Sequence, residues 1–250
     1  MSDDPIILSL ETATLGGSTW LGRGSLQLAT RNGNPQVSQS NSLLSDISLC
    51  LEEAGLNLDD VDLFACASGP GSFTGLRIGI ATLKGLAASL NRPCVGIPTL
   101  DAVAHSAGPS MATVAILPAG RGEVFTQLFS VSSVAGDYIV EPIDTAAHLS
   151  PQKLIGKYGM FVNLRWAGSG AHLQRETIER AALELGIDFR NPSPTLSENA
   201  TPAWSLAANE ENLAGHVAAL ALQAYSKGKL QDPETLHAIY VRPSDAELTK

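Results

Sequence analysis

The sequence predicts an α/β protein of two lobes, the second smaller than the first. Three observations carry this expectation. Short apolar runs at 6–11, 18–22 and 25–30 are separated by glycine-containing turns, as in an antiparallel meander. Helical and strand patterns then alternate from about residue 42 to residue 107. A further, shorter succession of strands and helices follows, interrupted by a stretch rich in Pro, Ser, Thr and Asn.

Ile6 to Glu11 reads as a buried strand, with Ser18–Gly22 and Ser25–Thr30 as its meander partners across Gly22-Arg23-Gly24. Residues 31–35 form a turn and 37–41 a polar connector. From Ser42 to Ala54, Leu44, Ile47, Ser48 and Leu51 recur at helical spacing, and Gly55 is a stop signal. Val61–Ala67 is a strand, Thr74–Leu90 a helix, Cys94–Ile97 a strand, and 100–107 a helix. In the second lobe, Thr113–Leu117 and Glu123–Ser130 pair across Pro118–Gly122. Gly159–Ala167 is a further strand and Ala171–Leu185 an amphipathic helix. Pro192, Pro194 and Pro202 make 190–202 a linker or long loop, and Leu213–Tyr225 is a strongly apolar helix. Three meander strands followed by alternating helix and strand is the pattern of an actin-like (ribonuclease H-like, ASKHA) half. The expected lobes are 1–108, with a C-terminal helix at about 209–228 packing back on that first lobe, and a smaller, degenerate 109–208.

Composition narrows the function. With 16 Lys and Arg against 25 Asp and Glu, the formal charge is −9. Such a surface repels phosphate backbones, so any RNA would have to be held by a partner. Cys50, Cys66 and Cys94 lie far apart among apolar neighbours, as buried thiols of a reducing compartment do. The acidic start Met-Ser-Asp-Asp-Pro lacks the basic and apolar regions of a signal peptide, and no apolar run is long enough to span a bilayer. A cytoplasmic protein without membrane contact is expected.

Ser68 to Gly79 reads Ser-Gly-Pro-Gly-Ser-Phe-Thr-Gly-Leu-Arg-Ile-Gly, between a strand and a helix. Gly69 and Gly71 allow positive φ, Pro70 stiffens the turn, and Ser72 or Thr74 can cap the helix. Free amides there, with the helix dipole, favour an anion; a tight turn that merely needs its glycines is the plain alternative. The G-x-G-x-x-x-G spacing of Gly69, Gly71 and Gly75 is one residue too long for the dinucleotide fingerprint, and no Walker lysine follows.

The same twelve residues resemble the signature of the TsaB (YeaZ) family, itself related to the TsaD glycoprotease-like family. Ile6–Thr14 resembles that family's opening strand, with Glu11 where Asp is usual. Pro93–Leu100 resembles its strand after the signature helix, Ala119–Phe125 its Asp-Ala-Arg-x-Gly-Glu-Val-Tyr, and Ala238–Arg242 its closing Tyr-Leu-Arg. The match is strong over the first half and weak over 130–208. The resemblance implies a non-catalytic dimerising or activating subunit for making N6-threonylcarbamoyladenosine on tRNA. It further implies a TsaD-like transferase and a TsaE-like ATPase as partners, a homodimer when alone, and ATP or ADP with magnesium at the complex interface.

No catalytic residue and no metal site are expected of the chain itself. The TsaD-like enzymes use a His-x-x-x-His metal pair, whereas the equivalent stretch here holds only His105, and no two histidines lie four apart. Ser72 and Ser169 lie outside any G-x-S-x-G elbow. Glu11 and Thr12, with Gly69, Gly71, Ser72, Thr74 and Arg121, are candidate nucleotide or anion ligands. The helix at 74–90 carries Leu76, Ile80, Leu83 and Ala87 as a core stripe. Its other side holds Arg77, Ile78, Ala81, Thr82 and Gly85, a low-charge face for a partner, joined by Phe73 and by Leu43, Ile47 and Cys50 of the preceding helix. The rival reading is an independent actin-like ATP-dependent kinase or hydrolase acting through the glycine turn.

Overall fold

The computed structural model describes residues 4–36, 39–190 and 203–241, the side chains of Gln39 and Asn41 excepted. Contacts divide it into two compact units, the described parts of 1–102 with 211–240, and of 103–210 with Val241.

In the first unit, β1 (Ile6–Glu11) pairs antiparallel with β2 (Ser18–Arg23), which pairs with β3 (Leu26–Asn32). On its other side β1 runs parallel to β4 (Leu63–Gly69), and β4 to β5 (Cys94–Pro98). The sheet order is β3-β2-β1-β4-β5. Every residue of β1 is buried, so alternate side chains feed two cores. Ile6, Leu8 and Leu10 pack with Phe64, Cys66 and the inward faces of α1 (Gln39–Ala54) and α2 (Phe73–Ser89). Ile7 packs with Leu63, Ala65 and the small inward residues Ala214, Val217, Ala218 and Ala221 of α7 (Leu213–Ser226). Asn212 caps α7 by accepting from the Gly215 amide at 3.2 Å, and the Ala214 amide reaches Ser18 Oγ of β2 at 3.0 Å. Gly55, at φ 65°, ends α1 in the left-handed conformation expected of a stop.

After α7 the chain returns along the β5 edge as an irregular strap. Gln231 exchanges backbone hydrogen bonds with Cys94 (3.0 and 2.8 Å), and its Oε1 accepts from the Gly96 amide (2.9 Å). Leu236 is buried in the first core, and the Ile239 amide donates to the Ser68 carbonyl at 2.7 Å.

A short helix, α3 (Thr99–Ser106), follows β5. The second unit is built on the long antiparallel pair β6 (Ser110–Gly120) and β7 (Glu123–Val134). β8 (Asp137–Pro142) and β9 (Ala147–Leu149) both pair with β7. After α4 (Pro151–Tyr158), β10 (Leu164–Ala167) runs parallel to β6; then come α5 (Ser169–Leu173), α6 (Arg175–Glu184), β11 (Asp188–Arg190) and β12 (Ala203–Leu206). The order is β11-β12-β10-β6-β7-β8. Trp166 and Trp204 meet edge to face at 5.1 Å in its core, with Tyr158 6.4 Å from Trp166.

Two expected elements differ. The strand expected over Gly159–Ala167 is confined to Leu164–Ala167. Its first part is a loop, closed by the Phe161 amide on the Tyr158 carbonyl and pinned by Trp204 Nε1 on the Phe161 carbonyl (2.8 Å). The single helix expected over Ala171–Leu185 is broken at Gln174, whose φ of −96° and ψ of 11° separate α5 from α6. Of the expected linker and connector, residues 191–202 and 37–38 lie outside the described residues, as does Arg242 of the closing motif.

Candidate functional site

The turn between β4 and α2 is built by close approaches. Gly69 has φ 111°, and a Cβ there would strike the Ile239 carbonyl of the strap. Gly71 lies against Ala13, whose carbonyl accepts from the Ser72 amide at 2.7 Å. Ser72 Oγ caps α2 by accepting from the Gly75 amide (3.2 Å), and the Gly69 amide donates to Thr99 Oγ1 (3.1 Å). The structure thus brings Glu11, Thr12, Gly69, Gly71 and Ser72 together, but the amides of Gly69, Ser72 and Gly75 already have partners within the chain.

Glu11 is turned the same way. Its carboxylate accepts from the Thr14 amide (2.8 Å) and the Thr14 hydroxyl, and closes the 11–14 turn. Burial raises its pKa above the ordinary 4.5, against the lowering pull of those hydrogen bonds. Thr12 is buried beneath α2, where Gly79 leaves room for its side chain. Thr74 is exposed on the first turn of α2. Arg121 lies in the second unit, at the tip of the β6–β7 hairpin. There it and Gly122 have φ 53° and 77°, the paired positive values of a type I′ turn.

The outward side of α2 has a different character. Arg77, Ala81 and Gly85 are exposed, and Phe73, Ile78 and Thr82 half-buried. A Cβ at Gly85 would meet nothing within 4 Å. Glycine in an exposed helix interior costs about 1 kcal/mol relative to alanine, and no contact among the described residues requires it here. The companions expected on α1 turn inward: Leu43, Ile47 and Cys50 are buried in the chain's own core with Ile80 and Leu83, because α1 packs on the sheet through that stripe. The outward apolar residues of α1 are instead Leu44 and Leu49, 62% and 43% exposed.

Tyr240 was not legible in the sequence as a neighbour of this face. Its ring lies 5.3 Å from that of Phe73, and the Arg77 guanidinium carbon sits 3.8 Å from the centroid of the same Phe73 ring.

Among the described residues, reactive groups do not gather around α2. Burial pushes the Cys66 thiol up to about 12 and those of Cys50 and Cys94 up to about 11, far from thiolate nucleophiles. Among the described residues, no three His, Cys, Asp or Glu side chains converge as metal ligands would. His105 packs on the Tyr138 ring, His148 Nε2 lies 2.9 Å from Glu123, and His172 shares a 2.9 Å hydrogen bond with the Ala207 carbonyl. No helix among the described residues is long and apolar enough to cross a membrane.

Comparison with known proteins bears on the same segments. The family described as TsaD, tRNA N6-adenosine threonylcarbamoyltransferase, matches residues 38–158. The tRNA threonylcarbamoyladenosine biosynthesis protein TsaB of Escherichia coli K12 is 33% identical over 122 residues, 48% of this chain and 52% of that protein. The TsaB of Haemophilus influenzae is 32% identical over 136 residues, 53% of this chain and 57% of that protein. The chain thus spans about half the length of the curated relatives it matches. Among solved structures, YeaZ from Pseudomonas aeruginosa superposes with a TM-score of 0.69 at 24% identity, covering 94% of this chain and 99% of that one. The fold is therefore α/β of the actin-like kind, and the resemblance to the TsaB (YeaZ) family holds in sequence and in fold.

Proposed function

We propose that this chain, similar to TsaB proteins, is a non-catalytic activating subunit of the machinery that makes N6-threonylcarbamoyladenosine on tRNA. It docks a TsaD-like transferase through the outward side of α2. A TsaE-like ATPase joins the assembly in the cytoplasm, and a second copy covers the same face when the partner is absent. One observation carries the reading: α2 turns Ala81 and an uncontacted Gly85 to solvent in mid-helix, where an intramolecular fold gains nothing from glycine. Small residues on an exposed helix let another backbone come close. ATP or ADP with magnesium belongs, in this reading, to the junction with the partner, since three amides of the chain's own turn, those of Ser72, Gly75 and Gly69, are already held by Ala13, Ser72 and Thr99. The net charge of −9 supports tRNA contact through the partner alone.

The test is to combine this chain with the TsaD-like protein of the same source on a sizing column. The mixture is then assayed for tRNA modification with and without the chain. Co-elution and chain-dependent modification are expected. ATP turnover by the chain alone, with no effect on the transferase, would favour an independent ATP-dependent enzyme instead.

A further inference from the structure

The outward side of α2 ends in a feature that small residues do not explain. Arg77 stands one helical turn beyond Phe73, with its guanidinium carbon 3.8 Å above the Phe73 ring centroid. Tyr240 packs on the same ring from the strap, 5.3 Å between centroids at 39°. Arg77 and Tyr240 are both exposed, and Phe73 between them is half-buried. The strap is held in place on either side of the turn. Lys84 Nζ donates to the Glu234 and Leu236 carbonyls (3.3 and 3.1 Å), and the Ile239 amide donates to Ser68. Tyr240 is therefore fixed against Phe73, and Phe73 against Arg77.

Among the described residues, Arg77 is paired with no carboxylate, whereas Arg31, Arg92, Arg175, Arg190 and Lys157 each have one. An arginine that is stacked has already given up part of its side-chain freedom, while its fork of donors stays available for a bidentate carboxylate. Gly85 lies eight positions further along (85 minus 77), on the order of 12 Å at the helical rise. A helix drawn close at Ala81 and Gly85 would therefore reach Arg77 about two turns away.

Resting on the docking reading above, we infer that Tyr240, Phe73 and Arg77 form a preformed anchor for an Asp or Glu on the partner's helix. That acidic residue stands about two turns from the one that packs on Gly85. A second copy of this chain fits less well. A two-fold contact of α2 on α2 sets Arg77 opposite the residues near Gly85, and α2 contains no Asp or Glu. Within the anchor, Tyr240 is a positioning residue and Arg77 the recognising one.

The experiment measures binding of the intact chain to the TsaD-like protein by calorimetry at low and at moderate salt. Arg77→Gln should raise Kd by about ten- to a hundredfold and flatten its salt dependence. Tyr240→Ala should raise Kd by a few-fold with the salt dependence kept, and Tyr240→Phe should restore what Tyr240→Ala loses. Circular dichroism and thermal unfolding check that each variant is folded. An unchanged Kd in folded Arg77→Gln, or a weaker Kd with unaltered salt dependence, overturns the anchor while leaving the docking reading intact. Failure of the wild-type chain to bind the partner overturns both. If Arg77→Gln weakens only self-association in sedimentation, the carboxylate belongs to a second copy and the assignment to the partner is wrong.

Discussion

Gly79 and Gly85 sit on one helix under opposite constraints. A methyl at Gly79 would run into the buried Thr12 side chain, a short group with nowhere to go, whereas a methyl at Gly85 meets nothing. Gly79→Ala should therefore lower the unfolding free energy by about 1–3 kcal/mol through overpacking. Gly85→Ala should raise it by up to about 1 kcal/mol through helix propensity. Urea unfolding of the isolated chain reads both, and equal effects at the two positions would contradict this reading of α2. Asp101, on the first turn of α3, gives a pH prediction. Burial holds its carboxyl up at about 6, against an ordinary 3.8. The folded chain thus keeps its proton more tightly than the unfolded one. This contribution to stability is full below pH 3.8 and is lost as pH rises through 6. Asp101→Asn should make the fall in stability between about pH 4 and about pH 7 shallower; the same fall in both proteins would show that the group is not shifted.

At the scale of elements, Arg165 shows how a buried charge serves a helix end. It is 5% exposed, and its Nη1 donates to the Ala107 and Pro109 carbonyls (2.7 and 3.0 Å), just past the C-terminus of α3. Burial alone lowers its pKa from the ordinary value. A cation there satisfies end carbonyls and faces the negative end of the helix dipole. Arg165→Met should cost about 1–3 kcal/mol in chemical unfolding, since two part-buried carbonyls lose a charged donor; a loss below about 0.5 kcal/mol would deny it this role. Elements with a strong local signal were legible in the sequence. β1 is apolar at four of its six positions, α1 stops at Gly55, and α2 follows Ser72, which does cap it. The irregular parts were not. Gly159 to Asn163 is apolar enough to read as strand, yet Met160 is 81% exposed and the loop is held by a hydrogen bond from Trp204, distant in sequence. β8 mixes Asp137, Glu141 and Pro142 with its apolar residues, and β9 has three residues, too short for a period to show. For the candidate site, the outward residues of α2 could be picked from helical spacing, but Tyr240 could not. Nothing local in the sequence places residue 240 on residue 73; the strap's hydrogen bonds to β4 and β5 do so.

Across the whole molecule, the chain has an excess of negative charge, and its described reactive groups are occupied within the fold. Glu11 closes a turn on Thr14, the thiols are buried, and the histidines are dispersed. The isolated chain should show no measurable retention of tRNA even at low salt, where phosphate binding is strongest; a salt-sensitive complex with tRNA alone would contradict that. The proposed docking face is the outward side of α2, and the most direct measurement acts there. Ala81→Glu and Gly85→Glu together place two carboxylates on that face at exposed positions, away from the core stripe of Leu76, Ile80, Leu83 and Ala87 and from Ile78, which packs on the same core. In a reconstituted tRNA-modification assay with the TsaD-like transferase, the wild-type chain should stimulate modification. The folded double variant, with an unfolding transition close to that of wild type, should not. Undiminished stimulation by the double variant would contradict the account.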